Sequence, residues 1–117
     1  MISRIHRFHG HGSLRYVYQN GKTVRGPLCS IKYSRNERRK SYRLAVVVSK
    51  KVHKSAVKRN RIRRRLYETY RLTASDIEAY DIVLTVFHEQ IAEMPIEEVH
   101  AMVKAQLKQA GISTKKS

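Results

Sequence analysis

The stretch Ser49-Lys-Lys-Val-His-Lys-Ser-Ala-Val-Lys-Arg-Asn-Arg-Ile-Arg-Arg-Arg-Leu-Tyr-Glu68 decides how this chain is read. At 100° per residue, Ile62, Leu66 and Tyr70 form one stripe of a helix running from about residue 55 to residue 71, with Tyr67 and Ala56 beside it. Asn60, Arg61, Arg64 and Arg71 fall on the opposite arc, flanked by Lys58 and Arg65. Arg59 falls close to the apolar stripe, where its aliphatic stem can pack while its guanidinium emerges near the helix start. The apolar stripe therefore anchors the helix and turns its arginines outward. Like charges at this density repel one another, so a purely structural role selects against them. An anionic partner removes the penalty, and a polyphosphate backbone matches several guanidinium groups at fixed spacing.

Working outward, the charge follows the same logic. The 117 residues carry a formal charge of +16, very large for a chain of this size. Residues 1–71 hold 21 Lys/Arg against two acidic residues, Glu37 and Glu68, a net of +19; residues 72–117 hold 4 Lys against 7 Asp/Glu, a net of −3. Such a field steers a polyanion toward the first two-thirds of the chain and makes binding strongly salt-dependent. The 41% apolar content argues against a disordered basic tail. The length suits one domain over residues 1–117, with 1–12 and 113–117 expected to be loose. A single cysteine, Cys29, excludes an internal disulfide and reads as a small core residue. No run approaches the roughly 20 apolar residues that span a bilayer. The N-terminus has Arg4 and Arg7 but no signal-peptide apolar core, so the chain reads as cytosolic.

Before the basic helix, Ser13 is a candidate cap for a short helix whose Leu14, Val17 and Tyr18 share a face. Asn20-Gly21 stops it, both residues tolerating a left-handed backbone. Pro27 precedes a strand over 28–33, polar residues 34–41 suggest a turn, and residues 42–48 read as the return strand of a hairpin. The run Leu44-Ala-Val-Val-Val48 suits a central strand covered on at least one face. After the helix and a loop over 73–80, Asp81-Ile-Val-Leu-Thr-Val-Phe87 reads as another buried strand. Pro95 opens a second long helix at a favoured first-turn position. Its stripe is Ile96, Val99, Val103, Leu107 and Ala110, its dipole is matched by Glu97 and Glu98 early and Lys104 and Lys108 late, and Gly111 ends it. The order is helix, two or three strands, helix, strand, helix: an α+β fold in one domain, with helices packed on a sheet.

Catalytic constellations are weak by comparison. His9-Gly-His11 has no carboxylate close in sequence. His88-Glu89 begins like a zinc-protease helix, but Ala92 stands where the second histidine ligand belongs. The five glycines form no phosphate loop, and Glu89, Glu93, Glu97 and Glu98 read better as a solvated face than as a magnesium site. Nucleic-acid features are stronger. Lys50, Lys51 and Lys54 lead into the helix, whose first N–H groups favour phosphate. Asn60 can both donate and accept, toward a base edge, a 2′-hydroxyl or a neighbouring side chain. Tyr16, Tyr18, Tyr33 and Tyr42 lie in or beside the basic half, where rings beside cations stack single-stranded bases.

The segments Val48-Ser-Lys-Lys51 and Lys58-Arg-Asn-Arg-Ile-Arg-Arg64, with Leu66, closely resemble the signature of the bacterial ribonuclease P protein subunit. The spacer is 52–58, Arg63 stands at the usual lysine position, and the element order also looks like the family over nearly the whole chain. The resemblance implies a ribosomal-protein-S5-domain-2-like α+β fold, α-β-β-(β)-α-β-α, with a left-handed βαβ crossover. It also implies an endoribonuclease subunit that joins a catalytic RNA to remove the 5′ leader of precursor tRNA. The RNA would carry the chemistry, a metal-activated water attacking a phosphodiester, with Mg2+ bound mainly by the RNA. On the matching positions, Arg59, Asn60, Arg61 and Arg64 would bind the catalytic RNA, assisted by Lys50, Lys51 and Arg63. The leader would lie in a cleft between the first helix and the sheet, near Leu14, Tyr18 and either Lys32 or Tyr33. Leu14 replaces a phenylalanine often found there, and His53 stands where some members carry glycine.

The alternative is a ribosomal or other structural RNA-binding protein with no processing role. A DNA-binding regulator fits less well. The basic helix runs into Leu66 and Tyr70 without a leucine heptad, and no helix-turn-helix partner directly precedes it.

Overall fold

The computed structural model describes residues 11–36, 42–73 and 79–112. In chain order the elements are α1 (His11–Asn20), β1 (Lys22–Arg25), β2 (Cys29–Arg35), β3 (Arg43–Val47), α2 (Ala56–Thr73), β4 (Tyr80–Val86), a short 3-10 helix (Glu89–Ala92) and α3 (Ile96–Ala110). The four strands form one mixed sheet in the order β1-β2-β4-β3. β1 and β4 both run antiparallel to β2, whereas β3 and β4 run parallel through the α2 crossover. This is the expected α+β class, with the optional third strand present ahead of α2.

Side-chain alternation divides the sheet into two faces. On one, Val24, Cys29, Ile31, Leu44, Val46, Ile82, Leu84 and Val86 meet the helices in the main core. Ile62, Leu66 and Tyr70 of α2 and Val99, Val103 and Leu107 of α3 are the helical side of that core, fully or almost fully buried as their periodicity predicts. Burying each such side chain stabilises the fold by roughly 1.5–3 kcal/mol. Ala56 and Ile96, expected in or beside these stripes, are instead exposed at the first residue of their helices. On the opposite face, Val17 of α1 packs on Ala45 and Val83 in a smaller cluster. Cys29 is a core residue as expected, its thiol pushed up to about 11 by burial although the Gln106 amide opposes the shift.

The expected hairpin between residues 28–33 and 42–48 does not form. β4 lies between β2 and β3, and β3 is an edge strand, not a central one. Two physical reasons favour this order. The run Asp81-Ile-Val-Leu84 is buried on both faces, which suits an interior position. Asp81 also accepts from Arg43 Nε and Nη2 at 2.9 and 2.8 Å on β3 and from Asn36 Nδ2 at 2.9 Å just past β2. One carboxylate thus ties the strands on either side of it. The edge position of β3 is tolerated because α2 covers its core face, Val17 of α1 packs on Ala45 at the other, and the Tyr67 hydroxyl accepts from Val46 N–H at 3.2 Å.

Smaller differences concern caps. α1 starts at His11, so Ser13 lies inside the helix instead of capping it, and residues 11 and 12, expected to be loose, are helical. Gly21 does not adopt a left-handed backbone; among the described residues only Gly111 does, with φ of 72°. Gly21 is required by close approach: a Cβ there would sit 2.5 Å from the Val17 carbonyl oxygen and 2.8 Å from that of Tyr33. Pro95 is the residue before α3, not its first helical residue. Most of the 34–41 turn and of the 73–80 loop, His9 and the side chain of His11, and residues 113–117 lie outside the described residues.

Candidate nucleic-acid interface

The connection from β3 to α2 is built around local hydrogen bonds. Val52 N–H donates to the Ser49 carbonyl at 3.0 Å, turning Lys50 and Lys51 out to solvent. His53 Nδ1 accepts from Ser55 N–H at 3.0 Å, and Ser55 Oγ accepts from Lys58 N–H at 3.3 Å, capping α2. Its first turn contains no acidic residue. Cations crowd the positive end of the helix dipole, the reverse of what favours an isolated helix. An external anion relieves that mismatch.

Along α2 the basic residues divide by what they touch. Asn60, Arg61 and Arg64 are exposed, and among the described residues no carboxylate pairs with Arg61 or Arg64. Val57, 74% exposed, shares their face one and two turns earlier. Arg63 donates to the Asn60 side-chain oxygen, so one of the partners foreseen for Asn60, a neighbouring side chain, is the one it has. That leaves the Asn60 amide nitrogen free to donate outward. Arg59 is half-buried, as its position beside the apolar stripe predicts, and donates to the carbonyls of His53 and Lys54 at 3.2 and 3.5 Å. It therefore braces the Lys50–Lys54 connection as well as adding charge to it. Arg71 is paired with Glu68 one turn earlier. Arg65 turns away altogether, its Nη1 and Nη2 donating to the carbonyls of Ala92 and Met94 at 2.7 and 2.5 Å.

The second surface is the α1 side of the sheet. Strand parity separates the two candidates on β2. Lys32, opposite Thr23 and Val83, faces α1 and approaches Gly21. Tyr33 points to the other face, where its hydroxyl donates to the Ala110 carbonyl of α3 at 3.1 Å. Tyr33 is thus a core-side residue and drops out of the cleft. Tyr18 is on α1 and 45% exposed; the side chain of Leu14 lies outside the described residues. Tyr42 is buried and tilted against Tyr70, so it packs instead of stacking.

Sequence reading missed two residues here. Phe87, expected as the last buried residue of its strand, is 37% exposed just past β4, and the Arg25 guanidinium lies 4.6 Å from its ring centre. Because β3 and β4 are parallel, Phe87, Arg25 and the Lys50–Lys51 turn all occur at one end of the sheet. Parity along β4 was the available signal: Phe87 continues the Val83, Thr85 row that faces α1.

Comparison with known proteins gives a consistent picture. The family model described as Ribonuclease P matches residues 2–111. A ribonuclease P protein component of Staphylococcus epidermidis is 29% identical over 115 residues, covering 98% of each chain. One from Chloroflexus aurantiacus is 33% identical over 110 residues, covering 93% of this chain and 80% of that one. Among solved structures, the RNase P protein of Staphylococcus aureus superposes with a TM-score of 0.82 at 25% identity, covering 93% of this chain and 98% of the other. That of Thermotoga maritima shares the fold with a TM-score of 0.78 at 21% identity.

Proposed function

Since this chain belongs to the ribonuclease P protein family, we propose that its α2 face binds the enzyme's catalytic RNA while the α1 side of its sheet holds the single-stranded 5′ leader of precursor tRNA. One observation carries the reading: Arg61 and Arg64 stand exposed on a well-packed helix, and neither is in an ion pair among the described residues. Lys50, Lys51 and Asn60 extend that face, with Arg59 and Arg63 orienting their neighbours. On the other surface Tyr18, Lys32 and the Arg25–Phe87 pair offer rings and cations in the combination that holds unstacked bases.

The chain's own contribution is electrostatic. Its cations neutralise phosphates where two polyanions meet and so replace part of the screening otherwise left to magnesium. The magnesium itself we assign mainly to the RNA. Among the described residues no group of three or more His, Cys, Asp or Glu side chains is placed to hold a metal ion. No helix among them is long and apolar enough to cross a membrane, and we infer action in the cytoplasm, beside the precursor tRNA.

Reconstitution tests this directly. Adding the protein to a bacterial ribonuclease P RNA is expected to restore leader removal at magnesium concentrations where the RNA alone is nearly silent. Binding to that RNA no tighter than a generic basic protein of equal charge would overturn the reading. Tight binding without any gain in cleavage would point to a structural RNA-binding protein instead.

A further inference from the structure

Arg65 belongs by sequence to the arginine run, yet its guanidinium grips the two carbonyls on either side of Glu93, those of Ala92 and Met94. The Glu93 N–H in turn donates to the Gln90 carbonyl at 3.0 Å, closing the 3-10 helix. The backbone around Glu93 is therefore fixed from both directions. Its carboxylate is delivered onto the cationic helix, where it accepts from Lys58 Nζ at 2.6 Å. The hydrogen bond from Lys58, then the charges of Lys58 and Arg61, hold this carboxyl below the usual carboxylate range, so it is ionised at neutral pH.

Folding alone does not explain this arrangement. Lys58 and Glu93 are 39% and 58% exposed, and a pair that open to solvent contributes little to stability. A negative charge held rigidly beside a polyphosphate-binding face has a larger effect on the ligand. It occupies Lys58 and repels any phosphate that strays from the Arg61–Arg64 row toward the 3-10 helix.

We propose that Glu93, positioned by Arg65, is a specificity residue: it marks the edge of the RNA footprint and penalises backbones that do not follow Arg61 and Arg64. The proposal rests on α2 being the RNA-binding face. RNA whose fold fits that row keeps its phosphates clear of Glu93 and is little affected. RNA bound by charge alone samples many registers and meets the carboxylate in some of them.

The test is Glu93→Gln, which keeps the shape and removes the charge. Binding is measured across salt for a bacterial ribonuclease P RNA and for an unrelated structured RNA of equal length. Affinity for the unrelated RNA is expected to rise about fivefold, with a salt slope steeper by about 0.7–0.9, the increment of one additional phosphate contact as Lys58 is freed. Affinity for the ribonuclease P RNA is expected to change less than about twofold, and the melting temperature to stay put. Equal gains for both RNAs, or no gain for either, would overturn the proposal. Arg61→Ala with Arg64→Ala separates the two levels. If that double variant weakens binding while Glu93→Gln changes nothing, the specificity role alone falls; if the double variant has no effect, the reading of α2 falls with it.

Discussion

Replacing Arg61 and Arg64 together with alanine is expected to weaken binding to a bacterial ribonuclease P RNA on the order of 100-fold at physiological salt. Each lost guanidinium–phosphate hydrogen bond contributes about 1.5 kcal/mol, and two such losses give that factor. The salt slope is expected to fall by about 1.5, because two fewer phosphates are neutralised. The melting temperature is expected to move little, and slightly upward if anything. Alanine is the best helix former, both positions are exposed without an ion pair among the described residues, and removing two cations relaxes the crowding along α2. Fluorescence-anisotropy titrations beside thermal melts check both halves. A large loss of stability with the RNA affinity unchanged would mean that these arginines hold the fold.

The second large effect is in the sheet. Asp81→Ala is expected to destabilise the protein by about 3 kcal/mol, because it takes away the carboxylate that accepts from two nitrogens of the largely buried Arg43 and from the Asn36 amide. For a domain of this size that corresponds to roughly 12 °C in melting temperature. Denaturant unfolding measures it, and a change below about 1 kcal/mol would show that strand order does not depend on this tie. Below its melting point the variant is expected to bind RNA nearly as well as the parent, since Asp81 lies across the sheet from α2.

These two cases also mark where the sequence could and could not be read. The helices were legible because Ile62, Leu66 and Tyr70, and Val99, Val103 and Leu107, repeat at helical spacing and are buried accordingly. The outward face of α2 followed from the same periodicity. Strand partners were not legible, because alternation tells which face a residue occupies but not which neighbour lies beside it. The apolar run before residue 49 suggested a central strand, whereas β3 sits at the edge, and its burial comes from α2 on its core face, Val17 of α1 at the other, and the Tyr67 hydroxyl. A third strand was allowed but not placed, and β1 gave little signal, since Val24 is its one buried residue.

Within the site, Lys32 and Tyr33 could not be separated until the register of β2 was known, because one residue of slip exchanges the two faces. Arg65 looked like one more flanking cation. Its real partners are carbonyls 27 and 29 residues away, which no local pattern encodes.

The most direct measurement places a probe on the α2 face without removing any arginine. Val57→Cys sits on an exposed position of that face, and the native Cys29 thiol, buried with its pKa pushed up to about 11, does not compete for the label. An iron chelate tethered there, in complex with a bacterial ribonuclease P RNA, is expected to cut a discrete set of nucleotides in that RNA by hydroxyl radicals. The same chelate on Lys104→Cys, on the exposed side of α3, is expected to leave the RNA uncut above background. Matching cuts from both positions, or cuts from residue 104 alone, would contradict an RNA seated on the Arg61–Arg64 face.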